Sequence, residues 1–175
     1  RRSVQAVFQN VRDSVNPRMT AGEIVAEPLR NFFSLTKREA VERSRPLLEQ
    51  VGLKATDADK YPSQFSGGEL QRVCIARALA PNPRAVVFDE AVSSLDMLVQ
   101  ARVLKLIERI RDEQGLAFLF ISHDLRVVAG LCREVALMAD GVIAARGRSV
   151  EELAATGHPV IEELLASLPP AFPRR

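Results

Sequence analysis

The sequence predicts an α/β fold with a parallel sheet, and three observations carry that prediction. Leu116 to Ile121 is an unbroken six-residue apolar run, the pattern of a buried strand in a parallel sheet. Ala85 to Asp89 is a second short apolar strand, closed by the paired carboxylates of Asp89 and Glu90. Between them Val99, Val103, Leu106, Ile107 and Ile110 recur at helical spacing, defining a long amphipathic helix that ends near Gln114-Gly115.

The other elements follow in chain order. Ser3 to Phe8 reads as a strand, and Gln9-Asn10 opens a loop that continues through Asn16-Pro17-Arg18-Met19-Thr20. Thr20 is an N-cap for a helix from Ala21 to about Ala26, which Pro28 limits. Thr36 starts a second helix, reaching about Val51, with Ala40, Ser44, Leu47, Leu48 and Val51 on one face and Gly52 as its C′ residue. Pro46 inside it costs about 3 kcal/mol, so a kink or break is expected there.

Ser66 and Glu69 have the spacing of a capping box, and they open a helix from Gly67 to about Leu79. Asn82-Pro83 is a turn before the strand at Ala85. Asp96 caps the long helix. A helix from Leu125 to about Cys132 follows, then two apolar runs, 134–139 and 142–146, flanking Asp140-Gly141, a hairpin signal. Val150 to Leu168 reads as one or two short helices, and residues 169–175 as a poorly ordered tail.

Composition narrows the class. The chain has 175 residues, enough for a sizeable core, with 47% hydrophobic and 26% charged residues, ordinary for a globular protein. A net charge of +2 implies no strong field for nucleic acid or membrane. The six-residue apolar run is far short of the roughly 20 residues that span a bilayer, so any membrane crossing falls to other chains. Cys74 and Cys132 are far apart and outside any metal-ligand spacing; both read as small buried hydrophobes. The first residue is Arg1 rather than Met, just ahead of a core strand, and the chain reads as the C-terminal part of a longer protein.

Two stretches carry chemistry. In Phe65-Ser66-Gly67-Gly68-Glu69-Leu70-Gln71-Arg72, two glycines clear the first helical turn so that a large ligand can approach the backbone. The N–H groups of that turn and its partial positive charge suit a phosphate. In Ala85-Val86-Val87-Phe88-Asp89-Glu90, a carboxylate at a strand end can hold Mg²⁺ and its neighbour can orient or deprotonate water.

Together these stretches resemble the nucleotide-binding subunit of ABC transporters. The resemblance implies an ABC-type nucleotide-binding domain with a helical subdomain. Ser66 to Glu69 match the signature loop, Asp89 the Walker B aspartate and Glu90 the catalytic glutamate. Gln9 matches the Q-loop glutamine, Asp96 the D-loop aspartate and His123 the switch histidine. The division implied is 1–20 Q-loop strand and loop, 21–65 helical subdomain, 66–147 signature, Walker B and switch part, and 148–175 C-terminal helices and tail. Ser14 to Thr20 and Ala91 in place of a usual proline resemble the nickel and peptide importer subgroup; Leu70 to Arg77, Met97-Leu98-Val99-Gln100 and the tail Leu168 to Arg175 look most like the second ATP-binding subunit of nickel importers.

The resemblance implies ATP and Mg²⁺ as cofactors, the metal held through Asp89 and Gln9, and hydrolysis by Glu90 and His123. Implied partners are a second ATP-binding subunit, two transmembrane permease subunits and an extracytoplasmic solute-binding protein, with no nucleic acid. The implied location is peripheral, on the cytoplasmic face of the plasma membrane. Di- or oligopeptide import is the alternative to nickel; a truncated, non-hydrolysing partner is a second alternative. An ATPase of DNA repair or chromosome organisation is disfavoured by the lack of long heptads. Glu69 departs from the usual glutamine of the signature. No Gly-x-x-x-x-Gly-Lys-[Ser/Thr] loop occurs in the sequence, so it carries part of each ATP site, and the chain alone is expected to be inactive.

Overall fold

The computed structural model describes residues 2–166. They form two compact units, divided between Ile121 and Ser122.

In the first unit the order is β1 (Val4–Phe8), α1 (Ala21–Phe33), α2 (Lys37–Gln50), two 3₁₀ turns, α3 (Gly67–Leu79), β2 (Ala85–Asp89), α4 (Met97–Gln114) and β3 (Ala117–Ile121). The sheet is parallel in the order β1-β2-β3, with Phe8 opposite Asp89 and Asp89 opposite Ile121. All three strands therefore end at one edge. On one face Val7, Val86 and Phe88 are buried. Phe88 stacks on Phe120 at 5.4 Å and meets Phe118 edge-on at 5.2 Å. The opposite face is open, with Val4, Phe8, Leu119 and Ile121 46–58% exposed. Along β3, Phe118 and Phe120 lie on the packed face and Leu119 and Ile121 on the other.

Both internal prolines lie within continuous helices. Helix α1 runs through Pro28 to Phe33 instead of stopping near Ala26. Pro28 belongs to a buried stripe with Ala21, Ile24, Val25 and Leu29, and packing of that stripe against α2 and α3 outweighs the lost hydrogen bond. Helix α2 continues through Pro46 without a break. Pro46 faces solvent, so water can satisfy the carbonyl one turn earlier. The end of α2 is a Schellman motif: Gly52 N–H reaches Glu49 O at 2.9 Å, Leu53 N–H reaches Leu48 O at 3.0 Å, and Gly52 has φ +76°.

The helices α1, α2 and α3 each open with the same reciprocal cap, Thr20/Glu23, Thr36/Glu39 and Ser66/Glu69. Helix α3 is buried on most of its circumference. Gln71 is 1% exposed and neither atom of its amide has a hydrogen-bond partner.

The second unit holds α5 (Leu125–Leu131), β4 (Val135–Ala139), β5 (Val142–Gly147), α6 (Val150–Ala154) and α7 (Pro159–Ala166). Its core is Leu125, Val128, Leu137, Val150, Leu153 and Ile161, with Cys132 packed against it. The hairpin β4–β5 turns on Asp140 and Gly141, both at positive φ (50° and 78°), the type I′ geometry that an Asp-Gly pair favours. The tail expected at 169–175 lies outside the described residues.

Candidate functional site

The site begins at the N-terminus of α3. Ser66 is extended (φ −64°, ψ 164°), and its Oγ accepts from Glu69 N–H at 3.3 Å. Glu69 Oε2 accepts from both Ser66 N–H and Ser66 Oγ–H, each at 2.8 Å. These bonds, the Ser66 backbone N–H first and then its hydroxyl, hold the Glu69 carboxyl below the usual range. The capping role expected of Glu69 is therefore present, and the hydroxyl proton of Ser66 is already given to a carboxylate.

The two glycines of the loop do different things. Gly67 is exposed, and a Cβ there would meet only Leu95 Cδ2 at an ordinary 3.7 Å. Gly68 is buried, and a Cβ there would overlap Val99 Cγ1. The space expected to admit a ligand is, at Gly68, filled by the first turn of α4. That turn is fixed by Asp96, whose Oδ1 accepts from Val99 N–H at 3.0 Å. The turn that opens α3 and the turn that opens α4 are thus one packed unit. Arg72 ties it to the end of α2, donating from Nη1 to Gly52 O at 2.9 Å and from Nε to Gly68 O at 3.3 Å.

A second group lies at the C-terminal edge of the sheet, where ligands gather in open α/β folds. The register puts Gln9 and Glu90 just past the ends of neighbouring strands, with half-buried Asp89 closing β2 and Gln9 exposed. Glu90 has φ +51°, a left-handed conformation that costs a non-glycine residue about 1 kcal/mol or more. Its N–H donates to Ile121 O at 3.0 Å, and its carbonyl accepts from Ser93 N–H at 3.1 Å and Ser93 Oγ–H at 2.9 Å. These bonds hold the strained position, and the Glu90 Oε2 atom is buried.

The loop after Gln9 is fastened to α3. Arg77 Nη1 donates to Ser14 O at 2.7 Å, and Ser14 Oγ lies 3.7 Å from Cys74 Sγ. Burial pushes the Cys74 thiol up, consistent with a packing role. His123 lies two residues beyond β3, in the second unit, and is exposed. Asp124 beside it caps α5, accepting from Arg126 N–H at 3.0 Å and pairing with Arg126 Nη2 at 2.8 Å. Among the described residues no three His, Cys, Asp or Glu side chains cluster as a metal site.

The structure therefore joins Ser66, Gly67, Gly68 and Glu69 to Asp96, and sets Gln9, Asp89 and Glu90 along one edge. Val99, Arg72 and Arg77 hold these groups in place and were not singled out from sequence. Val99 looks like any member of the apolar stripe of α4, and the arginines bind carbonyls distant along the chain.

An ABC transporter model matches residues 1–93. The chain is 46% identical over 178 residues to the nickel import ATP-binding protein NikE of Rhodospirillum rubrum, covering 99% of this chain and 62% of that protein. It is 45% identical to a probable peptide ABC transporter ATP-binding protein of Sinorhizobium fredii, covering 100% of this chain and 50% of that one. Among solved structures, it is similar to the ATP-binding cassette MJ0796, a dimer in a post-hydrolysis state bound to ADP and Pi. The TM-score is 0.69 at 27% identity, covering 83% of this chain and 63% of that one. The chain belongs to the ABC transporter family, and its fold is that of an ABC nucleotide-binding domain. It spans one half to 62% of the length of these curated relatives.

Two outcomes test the loop. Gly68→Ala is expected to cost about 1–3 kcal/mol in urea denaturation, because β-branched Val99 resists rotation, whereas Gly67→Ala stays within about 0.5 kcal/mol. The folded pKa of Glu69 lies below its ordinary 4.5, so its stabilisation is full above that value and is lost as pH falls through the folded value. Glu69→Gln keeps the cap and removes that titration. Its melting temperature should fall less between about pH 6 and pH 3 than that of the parent chain.

Proposed function

We propose that the protein is the ATP-binding and ATP-hydrolysing subunit of an ABC importer. The observation that carries this reading is the capped, glycine-cleared start of α3 locked onto the Asp96 turn, in a chain that also presents Gln9, Asp89 and Glu90 on one sheet edge. Two such subunits would sandwich ATP. Ser66, Gly67, Gly68 and Asp96 of one would face a nucleotide held by the other. The sheet-edge residues act on the nucleotide of their own subunit.

The oxygens of Asp89 and Gln9, on neighbouring strand ends, suit Mg²⁺, which is commonly held by one or two protein oxygens and the phosphates of its substrate. Bound with ATP, the cation offsets charge on the transferred phosphoryl group. Glu90 orients and deprotonates the attacking water. His123 hydrogen-bonds the terminal phosphate. The sequence contains no phosphate-cradling glycine-lysine loop, so these residues complete a nucleotide site rather than form one alone.

Nickel is the solute favoured by the 46% identity to a nickel import protein. Peptide is the second reading, supported by 45% identity to a probable peptide transporter protein. In either case membrane passage belongs to partner permeases, with a solute-binding protein outside and this subunit on the cytoplasmic face. No helix among the described residues is long and apolar enough to cross a membrane.

In the complete protein Glu90→Gln should retain ATP binding and lower turnover by about 10²-fold or more, measured as steady-state phosphate release. Unchanged turnover would remove Glu90 from the role of base.

A further inference from the structure

The chain enters α3 through a short segment of capped turns. It holds two 3₁₀ turns, Ala55–Asp59 and Pro62–Gln64, and then the first turn of α3. At each of the three, a side-chain oxygen accepts from the opening backbone N–H: Asp57 Oδ2 from Lys54, Gln64 Oε1 from Tyr61 and Glu69 Oε2 from Ser66, all at 2.8 Å. Lys60 sits between the first two turns. Its carbonyl accepts from Ala21 N–H at 2.8 Å, which fastens the segment to the start of α1.

The Lys60 side chain reaches two groups. It donates to Asp57 Oδ1 at 2.7 Å, and its ammonium lies 5.7 Å from the centroid of the Phe65 ring. Asp57 is 6% and Phe65 5% exposed. A carboxylate buried that deeply needs a paired cation, and an aromatic face attracts one. Phe65 directly precedes Ser66, so the ammonium bears on the residue from which the α3 cap is built. The Asp57 hydrogen bond first, and the Glu69 charge more weakly, hold the Lys60 ammonium above its ordinary range. Glu69 in turn feels Arg72 from its own helix and Lys60 from the preceding segment, beside its two bonds from Ser66. Arg72 is engaged by the carbonyls of Gly52 and Gly68, whereas Lys60 is held by a carboxylate and a ring.

We propose that Lys60 is a positioning residue for the turn that opens α3: held between the Asp57 carboxylate and the Phe65 ring, it fixes the placement of Phe65 and Ser66. It is also a countercharge to Glu69. A glutamine at position 69 presents no charge to balance; the carboxylate found there is met by a cation nine positions earlier in the chain. The inference rests on the proposed reading in which Ser66, Gly67 and Gly68 face a nucleotide held by the second subunit. Lys60 touches no nucleotide in that reading; it acts through Phe65 and Glu69.

The test is NMR on the 175-residue chain, with the Glu69 carboxyl ¹³C shift followed against pH and the Ser66 and Gly67 amides read at neutral pH. In Lys60→Met the Glu69 midpoint is expected to rise and both amides to shift. Lys60→Arg, which keeps a cation suited to ring and carboxylate, is expected to stay with the parent. Lys60→Met strands the buried Asp57 charge. Asp57→Asn with Lys60→Met removes that charge, keeps an acceptor for Lys54 N–H, and is expected to move Glu69 the same way. In the complete protein Lys60→Met should lower kcat/KM for ATP by about twofold or more, and by less in a Glu69→Gln background. The proposal is overturned if the Glu69 midpoint and both amides are the same in the parent, Lys60→Met and the double variant, or if Lys60→Arg behaves as Lys60→Met. It is equally overturned if Lys60→Met lowers kcat/KM as much in the Glu69→Gln background as in the parent. Absence of ATP hydrolysis by the complete parent protein would contradict the importer reading instead, and the NMR outcomes would still decide the role of Lys60.

Discussion

The structure depends most on the contact between Gly68 and Val99. It fixes the first turn of α3 against the first turn of α4, 31 positions later in the sequence. Only a residue without a side chain fits beneath Val99, and Val99 holds its place because Asp96 caps its helix. The turn at Ser66–Gly68 and the turn at Asp96–Val99 are therefore packed as one unit. Arg72 extends the same unit to the end of α2, and Arg77 links α3 to the loop that follows Gln9. That loop is joined to α3 through Arg77, as the end of α2 is through Arg72. Both are charge-assisted bonds, stronger than neutral ones, and they break only with a clear cost.

Local chemistry was legible in the sequence where it is settled within a few residues. The caps of Thr20, Thr36, Ser66 and Asp96, the strand Ala85–Asp89 and the Asp140-Gly141 turn all depend on neighbours within four positions, and the structure places each as expected. The end of α1 was misread because local propensity argues against Pro28, while its burial decides the outcome. The open face of the sheet was illegible for a related reason. A run such as Ala117–Ile121 records how apolar a strand is, not how many layers cover it. Arg72, Arg77 and Val99 carry no local signature, since their roles appear only when distant segments meet.

The replacement of glutamine by Glu69 has a consequence for the site. The Ser66 hydroxyl donates its hydrogen bond to the Glu69 carboxylate. A phosphate arriving there must share or displace a charged acceptor of the same sign. Arg72 and Lys60 act on the Glu69 carboxylate with the opposite sign. The loop is thus electrostatically balanced by groups outside the motif, which a motif-level reading misses.

The central claim is that this chain carries the completing residues of a nucleotide site and not its phosphate cradle. Titration calorimetry of the 175-residue chain with MgATP tests it most directly. No saturable binding is predicted at concentrations up to about 1 mM, where binding weaker than about −4 kcal/mol gives little heat. Tight one-to-one binding would contradict the claim, because the phosphates would then be held by groups other than those assigned to them.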